Sequence, residues 1–164
     1  MCIRDSTYTV MLPVRKQDVV TAKYLFVLSI ECIAFILCLF LTIIRMRLLG
    51  DATPYVTNPL MNANAAYLGY IMLVFATFNS VFLGGFFKTA YKIWKPFILF
   101  CAVTTVIIFM GEILHHIPGL ESLNDSSNLN VPQIVILLFG VAIFNLCTWF
   151  SYQKAIKDFE RIDL

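Results

Sequence analysis

Tyr24-Leu25-Phe26-Val27-Leu28-Ser29-Ile30-Glu31-Cys32-Ile33-Ala34-Phe35-Ile36-Leu37-Cys38-Leu39-Phe40-Leu41-Thr42-Ile43-Ile44 contains one charged side chain, Glu31. A helix rising 1.5 Å per residue needs about 20 residues to cross roughly 30 Å of hydrocarbon, and this run has that length. Three more runs of the same character follow, at 65–87, 97–117 and 131–150. The reading is an all-α, polytopic transmembrane helical bundle with four spans.

Outward from these runs, the cations fall unevenly. Arg4, Arg15, Lys16 and Lys23 precede the first run. Lys88, Lys92 and Lys95 separate the second from the third, and Lys154, Lys157 and Arg161 follow the fourth. The opposite side receives only Arg45 and Arg47. Ten of the twelve cations on one side place both termini in the cytoplasm by the positive-inside rule. Tyr24, Tyr91, Trp94, Trp149 and Tyr152 fall at the predicted inner boundary and Tyr67 and Tyr70 near the outer one, as interfacial aromatics do.

With 60% hydrophobic residues and a mean hydropathy of +0.82, the chain has more apolar side chain than a soluble interior of this size would hold, so lipid must cover the excess. A net charge of +2, spread over membrane boundaries, leaves no nucleic-acid footprint. Cys32, Cys38, Cys101 and Cys147 lie inside the apolar runs, where they act as small hydrophobes without metal-knuckle spacing. The first run exceeds a signal-peptide core and has no small-residue cleavage site after it. Residues 1–10 read as a non-native or disordered start, because Met1–Ser6 resembles a translated sequencing-adapter remnant. The transmembrane domain runs from 11 to 164.

Within the spans, Glu31 is the only charged group well inside, about 10 Å from the cytoplasmic end. At the centre of a lone helix it would cost about 3 kcal/mol. It must therefore face other helices, find a partner or be neutral, and it is a candidate translocation-path residue. Asn79, Ser80 and Asn145 are candidates for the same path or for interhelical hydrogen bonds. Ala76, Ser80 and Gly84 recur every four residues, a small face for helix packing against a neighbour in this chain or in another subunit. Glu112, His115 and His116, at i, i+3 and i+4, share one helix face and invite a metal or proton-relay reading. Their closeness to the outer end and the absence of HExxH favour an interfacial polar cap. No metal or cofactor is expected. With no glycine-rich phosphate loop, ATP-driven work would need a second protein.

The connections are short and polar. The 88–96 loop should join a tight antiparallel hairpin, with Pro96 tolerated at a helix start. The 118–130 connection reads as a solvated outer loop, in which Asn124-Asp125-Ser126 formally matches a glycosylation acceptor. The tail 151–164 alternates apolar and charged residues, as a helix lying at the inner surface would.

The segment Leu12-Pro13-Val14-Arg15-Lys16-Gln17-Asp18-Val19-Val20-Thr21-Ala22-Lys23-Tyr24-Leu25 resembles the sequence leading into the third transmembrane helix of bacterial permeases of the type-2 ATP-binding-cassette exporter family. There the run is roughly Leu-Pro-Val-Ser-Arg-Lys-Glu-Ile-Val, two residues, then Lys-Tyr-Leu. Arg15 stands where the family usually has Ser, which shifts the cationic pair by one position. The closing stretch from Ser151-Tyr152 to Asp163-Leu164 is similar to the family's ending.

This resemblance implies a fragment of a six-span permease domain, lacking the first two helices, in a bacterial plasma membrane. It implies partnership with a separate ABC ATPase subunit and with a second permease copy or paralogue, and export of an unspecified substrate. By it, Leu12, Pro13, Arg15, Lys16, Asp18, Val19, Lys23 and Tyr24 form the ATPase-coupling element. The residues alone leave two alternatives open. One is a small membrane-embedded enzyme using Glu31 or Glu112, His115 and His116; the other is a non-catalytic scaffold or accessory protein held among lipids.

Overall fold

The computed structural model describes residues 15–48, 60–89, 92–125 and 129–161. Four helices carry most of them: α1 (Lys16–Leu48), α2 (Ala65–Lys88), α3 (Trp94–Leu114) and α4 (Val131–Glu160). A 3₁₀ turn at Glu121–Asn124 lies between α3 and α4, and no strand occurs among the described residues. Each of the 4 helices is long and apolar enough to span a membrane. Residues 1–10, Leu12, Pro13, Tyr91 and Ser126 fall outside the described residues.

α1 and α4 overrun their apolar runs at the same end of the bundle, where α1 begins and α4 stops. α1 starts at Lys16, about two turns before Tyr24, and α4 continues to Glu160, almost three turns past Phe150. No glycine or proline interrupts either extension, and each has an inward stripe. Val20 and Tyr24 from α1 meet Leu83, Phe86 and Phe87 from α2 and Ala155 and Phe159 from α4 in one buried cluster. The Phe87 ring stacks on Tyr24 at 6.2 Å and meets Phe159 edge-on at 5.6 Å. Rings this large contribute most of the packing energy of so small a cluster.

Two expectations are corrected by this cluster. The tail is not a helix lying on the membrane; it continues the fourth span. The apolar stripe Ala155–Phe159 that suggested lipid contact is buried by protein. Tyr24 and Tyr152 are likewise not simple belt residues: Tyr24 is 2% exposed, and Tyr152 packs edge-on against it at 5.5 Å. Trp94 and Trp149 do face outward.

At the other end, asparagines and a glutamine tie the connections down. Asn64 caps α2 by accepting from the Tyr67 N–H at 3.1 Å, while its Nδ2 donates to the Leu123 carbonyl at 2.6 Å. Gln133 Nε2 donates to the carbonyls of Asp125 at 2.7 Å and Ser122 at 3.0 Å. Asn64 and Gln133 are both fully buried and Leu123 almost so. The 120–125 stretch is therefore a packed cap, where the sequence suggested a solvated loop. Asn124 Oδ1 accepts from the Asn62 N–H at 2.7 Å, which commits the side chain of the formal glycosylation acceptor to the fold. α3 stops at Leu114, and Gly119 turns the chain at φ 94°, where a Cβ would be strained.

α2 and α4 pack most extensively of the helix pairs and approach closely at two glycines. A Cβ on Gly69 would lie 2.6 Å from the Ile136 carbonyl oxygen, and one on Gly140 would collide with the Gly69 carbonyl. The two backbones touch there because neither residue has a side chain. Elsewhere the spans point Phe26, Ile33, Phe40, Phe109 and Phe139 outward, a surface that only lipid or other apolar helices can cover.

Candidate functional site: a polar junction at a π-helical turn

Six residues of α2, Phe78–Leu83, form a π-helical segment within the span. The Gly84 N–H returns to the Asn79 carbonyl, five residues back, which widens the turn. Such segments are uncommon and frequently mark functional positions. Here the widened turn presents both the side chain and the carbonyl of Asn79 to α1 and α4.

Asn79 is fully buried. Its Nδ2 donates to Glu31 Oε2 of α1 at 2.9 Å and to Thr148 Oγ1 of α4 at 3.1 Å. The Asn79 carbonyl accepts from Ser151 Oγ at 2.7 Å. A serine hydroxyl has one proton, so with that proton on the carbonyl the neighbouring Tyr24 hydroxyl, 2.8 Å away, donates to Ser151. The chain of bonds Tyr24 to Ser151 to Asn79 to Glu31 joins three helices in the half of the bundle nearest the start of α1 and the end of α4. Gly84 makes room for it: a Cβ there would sit 2.7 Å from Ser151 Oγ. Glu31 Oε1 and Asn79 Oδ1 have no donor among the described residues, so the junction is richer in acceptors than in donors.

Beside it lies a cleft of about 330 Å³ between α1 and α4. Tyr24, Thr148 and Asn145 line it together with the apolar Leu28, Phe144 and Trp149. Asn145 is exposed and donates to the Val141 carbonyl on its own helix, not to another helix. Ser80 does the same toward Ala76, at 2.7 Å. Of the predicted polar set, the structure thus brings Glu31 and Asn79 together and leaves Ser80 and Asn145 satisfied within their own helices. Gly84, of the predicted small face, packs on Ser151 of the same chain, and Ala76 is buried.

The predicted coupling residues sit at the start of α1. Arg15 and Asp18 are exposed, and the Asp18 N–H bonds the Arg15 carbonyl at 2.9 Å. Lys16 lies beside them, Val19 packs on the buried cluster, and the Lys23 ammonium lies 4.7 Å over the Phe86 ring. Gln17 Nε2 donates to Glu160 Oε1 of α4 at 2.6 Å. Thr21 donates to the Gln17 carbonyl, so the Tyr152 hydroxyl at 3.0 Å donates to Thr21.

Glu112 lies in the last turn of α3, His115 caps its C-terminus in helical conformation, and the His116 N–H bonds the Ile113 carbonyl at 3.0 Å in a tighter turn beyond it. The Glu112 carboxylate accepts from the Met61 N–H at 3.0 Å and the two imidazoles pack at 4.1 Å. Among the described residues no group of three His, Cys, Asp or Glu is placed to hold a metal.

Sequence reasoning passed over Thr148, Ser151 and Tyr24 as network members. The signal available was their spacing, i, i+3 for the α4 pair, opposite a lone intramembrane carboxyl.

A family model described as ABC-2 family transporter protein matches residues 4–160. The chain belongs to that family. It is a multi-pass membrane protein and a permease subunit of the ABC transporter type, a transport component whose family generally works with an ATPase subunit in a dimer. No curated protein and no solved structure matches it. In this ABC-2 chain, then, the polar junction lies inside a transport subunit's bundle, where its side chains hydrogen-bond across three helices.

Proposed function

We propose that this ABC-2 chain is the membrane-spanning subunit of an ATP-driven exporter in a bacterial plasma membrane. Residues 12–23 dock a separate ATPase subunit, and a second copy or a paralogue completes the substrate pathway. One observation carries the reading: α1 runs unbroken from Lys16 to Leu48, and its first two turns are clamped to α2 and α4 through Val20, Tyr24, Phe87 and Phe159. A displacement applied at Arg15–Lys23 cannot dissipate in a linker; it moves three helices. The junction Tyr24–Ser151–Asn79–Glu31 lies one to two turns deeper on the same helices and passes that movement towards the cleft at Asn145 and Thr148. In this reading Glu31, Asn79 and Asn145 border the pathway, while Ser80 lines a separate cleft towards α3.

The triple charge reversal Arg15→Glu, Lys16→Glu and Asp18→Lys is expected to abolish co-purification of the ATPase and transport while leaving the folded bundle intact, because Arg15 and Asp18 are exposed. An ATPase that co-purifies in undiminished yield would end the coupling proposal.

Both termini are cytoplasmic in this scheme. In a cysteine-free background, an impermeant maleimide added to intact cells should label Glu121→Cys and spare Lys157→Cys. The reverse pattern would invert the topology.

A further inference from the structure

A second cleft, of about 460 Å³, opens between α2, α3 and α4, away from the polar junction's cleft. Its walls include Ser80, Gly84, Leu99, Cys147, Phe150 and Ser151, the last shared with the polar junction. They run from residue 147 to its mouth at residue 154, about 10 Å along α4. Lys88 and Lys154 stand at that mouth with a single acid, Asp158, and both lysines are exposed. The cleft is thus mostly apolar along its depth, with two serine hydroxyls, and cationic at one end, the end at which α1 begins and α4 stops. Leu99 and Phe150 are exposed beside it, apolar surface of the kind that lipid covers.

We propose that this cleft is a binding site for an anionic phospholipid. One acyl chain lies along Leu99, Cys147 and Phe150, and the phosphate sits between Lys88 and Lys154. Charge complementarity selects this occupant. A neutral lipid or a bare apolar helix would fill the walls and leave two ammonium groups facing one carboxylate, whereas an anionic headgroup balances the excess. The leaflet is the inner one on the topology proposed above; the headgroup preference does not depend on that topology.

The test uses the complete protein purified from its membrane, delipidated and offered phosphatidylglycerol or phosphatidylcholine, with bound lipid counted by native mass spectrometry. Wild type should retain phosphatidylglycerol in clear preference. Lys88→Gln with Lys154→Gln should weaken that retention roughly 30-fold, about fivefold for each cation lost near the headgroups. Lys88→Arg with Lys154→Arg should keep it. Cys147→Trp, which fills the apolar wall, should lower retention with both lysines in place. Lys157→Gln, outside the cleft, should leave it unchanged.

Equal retention of the two lipids overturns the proposal, as does a glutamine pair that binds like wild type. So does efficient disulfide formation between two copies at Lys88→Cys, which would show the cleft filled by a second subunit. Variants that fail to fold are recognised by an altered thermal midpoint, and the arginine pair and Lys157→Gln then decide the matter.

Discussion

Gly140→Leu is expected to abolish the stable bundle. Most small-to-large changes in a packed interior push against side chains that can rotate away and cost about 1–3 kcal/mol. At Gly140 the new Cβ meets the carbonyl of Gly69, and backbone cannot rotate aside. α2 and α4, the most extensively packed pair of helices, would have to separate. That separation would also stretch the Asn79–Thr148 and Asn79–Ser151 bonds at the other end of the same interface. A cost above 3 kcal/mol is a large share of the stability of a domain this small. The measurement is the thermal midpoint and the monodisperse yield in detergent, with Gly111→Ala as a comparison. There the added Cβ would meet the Tyr70 ring at an ordinary 3.5 Å. If Gly140→Leu purifies and melts like wild type, the close α2–α4 crossing is wrong.

Asn79→Leu should be the second most damaging change, at about 2–3 kcal/mol. The substitution removes the only donor that Glu31 has among the described residues and leaves the carboxyl of this residue, only 6% exposed as a whole, unpaired in an apolar span. The penalty comes from the orphaned partner rather than from the lost bond itself, since interhelical hydrogen bonds in membranes contribute only about 1 kcal/mol or less. The double variant Glu31→Leu/Asn79→Leu, with both polar ends gone, should therefore recover much of the lost stability. The pair separates two roles for the network. If the double variant regains its thermal midpoint but stays silent in transport, the polar junction acts in the transport cycle and not only in assembly. If Asn79→Leu melts like wild type, the junction does not hold the helices, and the proposed transmission from the clamped start of α1 to the cleft fails with it.

How far the site could be read in advance depended on the kind of signal. Glu31 was conspicuous because a carboxyl inside an apolar run is costly wherever it lies, so it had to have a partner. Asn79 was visible as a polar residue in a span, but its adjacent Ser80 looked equivalent. Which of the two faces α1 and α4 depends on the angular position each takes in the π-helical segment, and no residue preference in Phe78–Leu83 announces that widened turn. Gly84 was read as part of a small face for close approach; its neighbour proved to be a hydroxyl needing room, a role that composition does not distinguish from packing. The tail shows the opposite case. Its alternation of apolar and charged residues was real, but a stripe states only that something apolar covers it. Whether that cover is lipid or Val20, Tyr24 and Phe87 depends on chain paths distant in sequence.

Length and hydropathy are summed over a segment and measured against a bilayer of known thickness, so the amino-acid sequence alone determined the four spans, the helical class, the apolar exterior and the uneven distribution of cations. The run around Leu12–Leu25 also pointed to the ABC-2 family. The tertiary structure alone decided which polar groups meet. Hydrogen bonds require approach within about 3 Å, and residues 48 to 127 positions apart reach that distance only when three helices take one particular rotation and depth. The same holds for the contact of Gly69 with Gly140, where two absent side chains acquire meaning only once the helices carrying them cross.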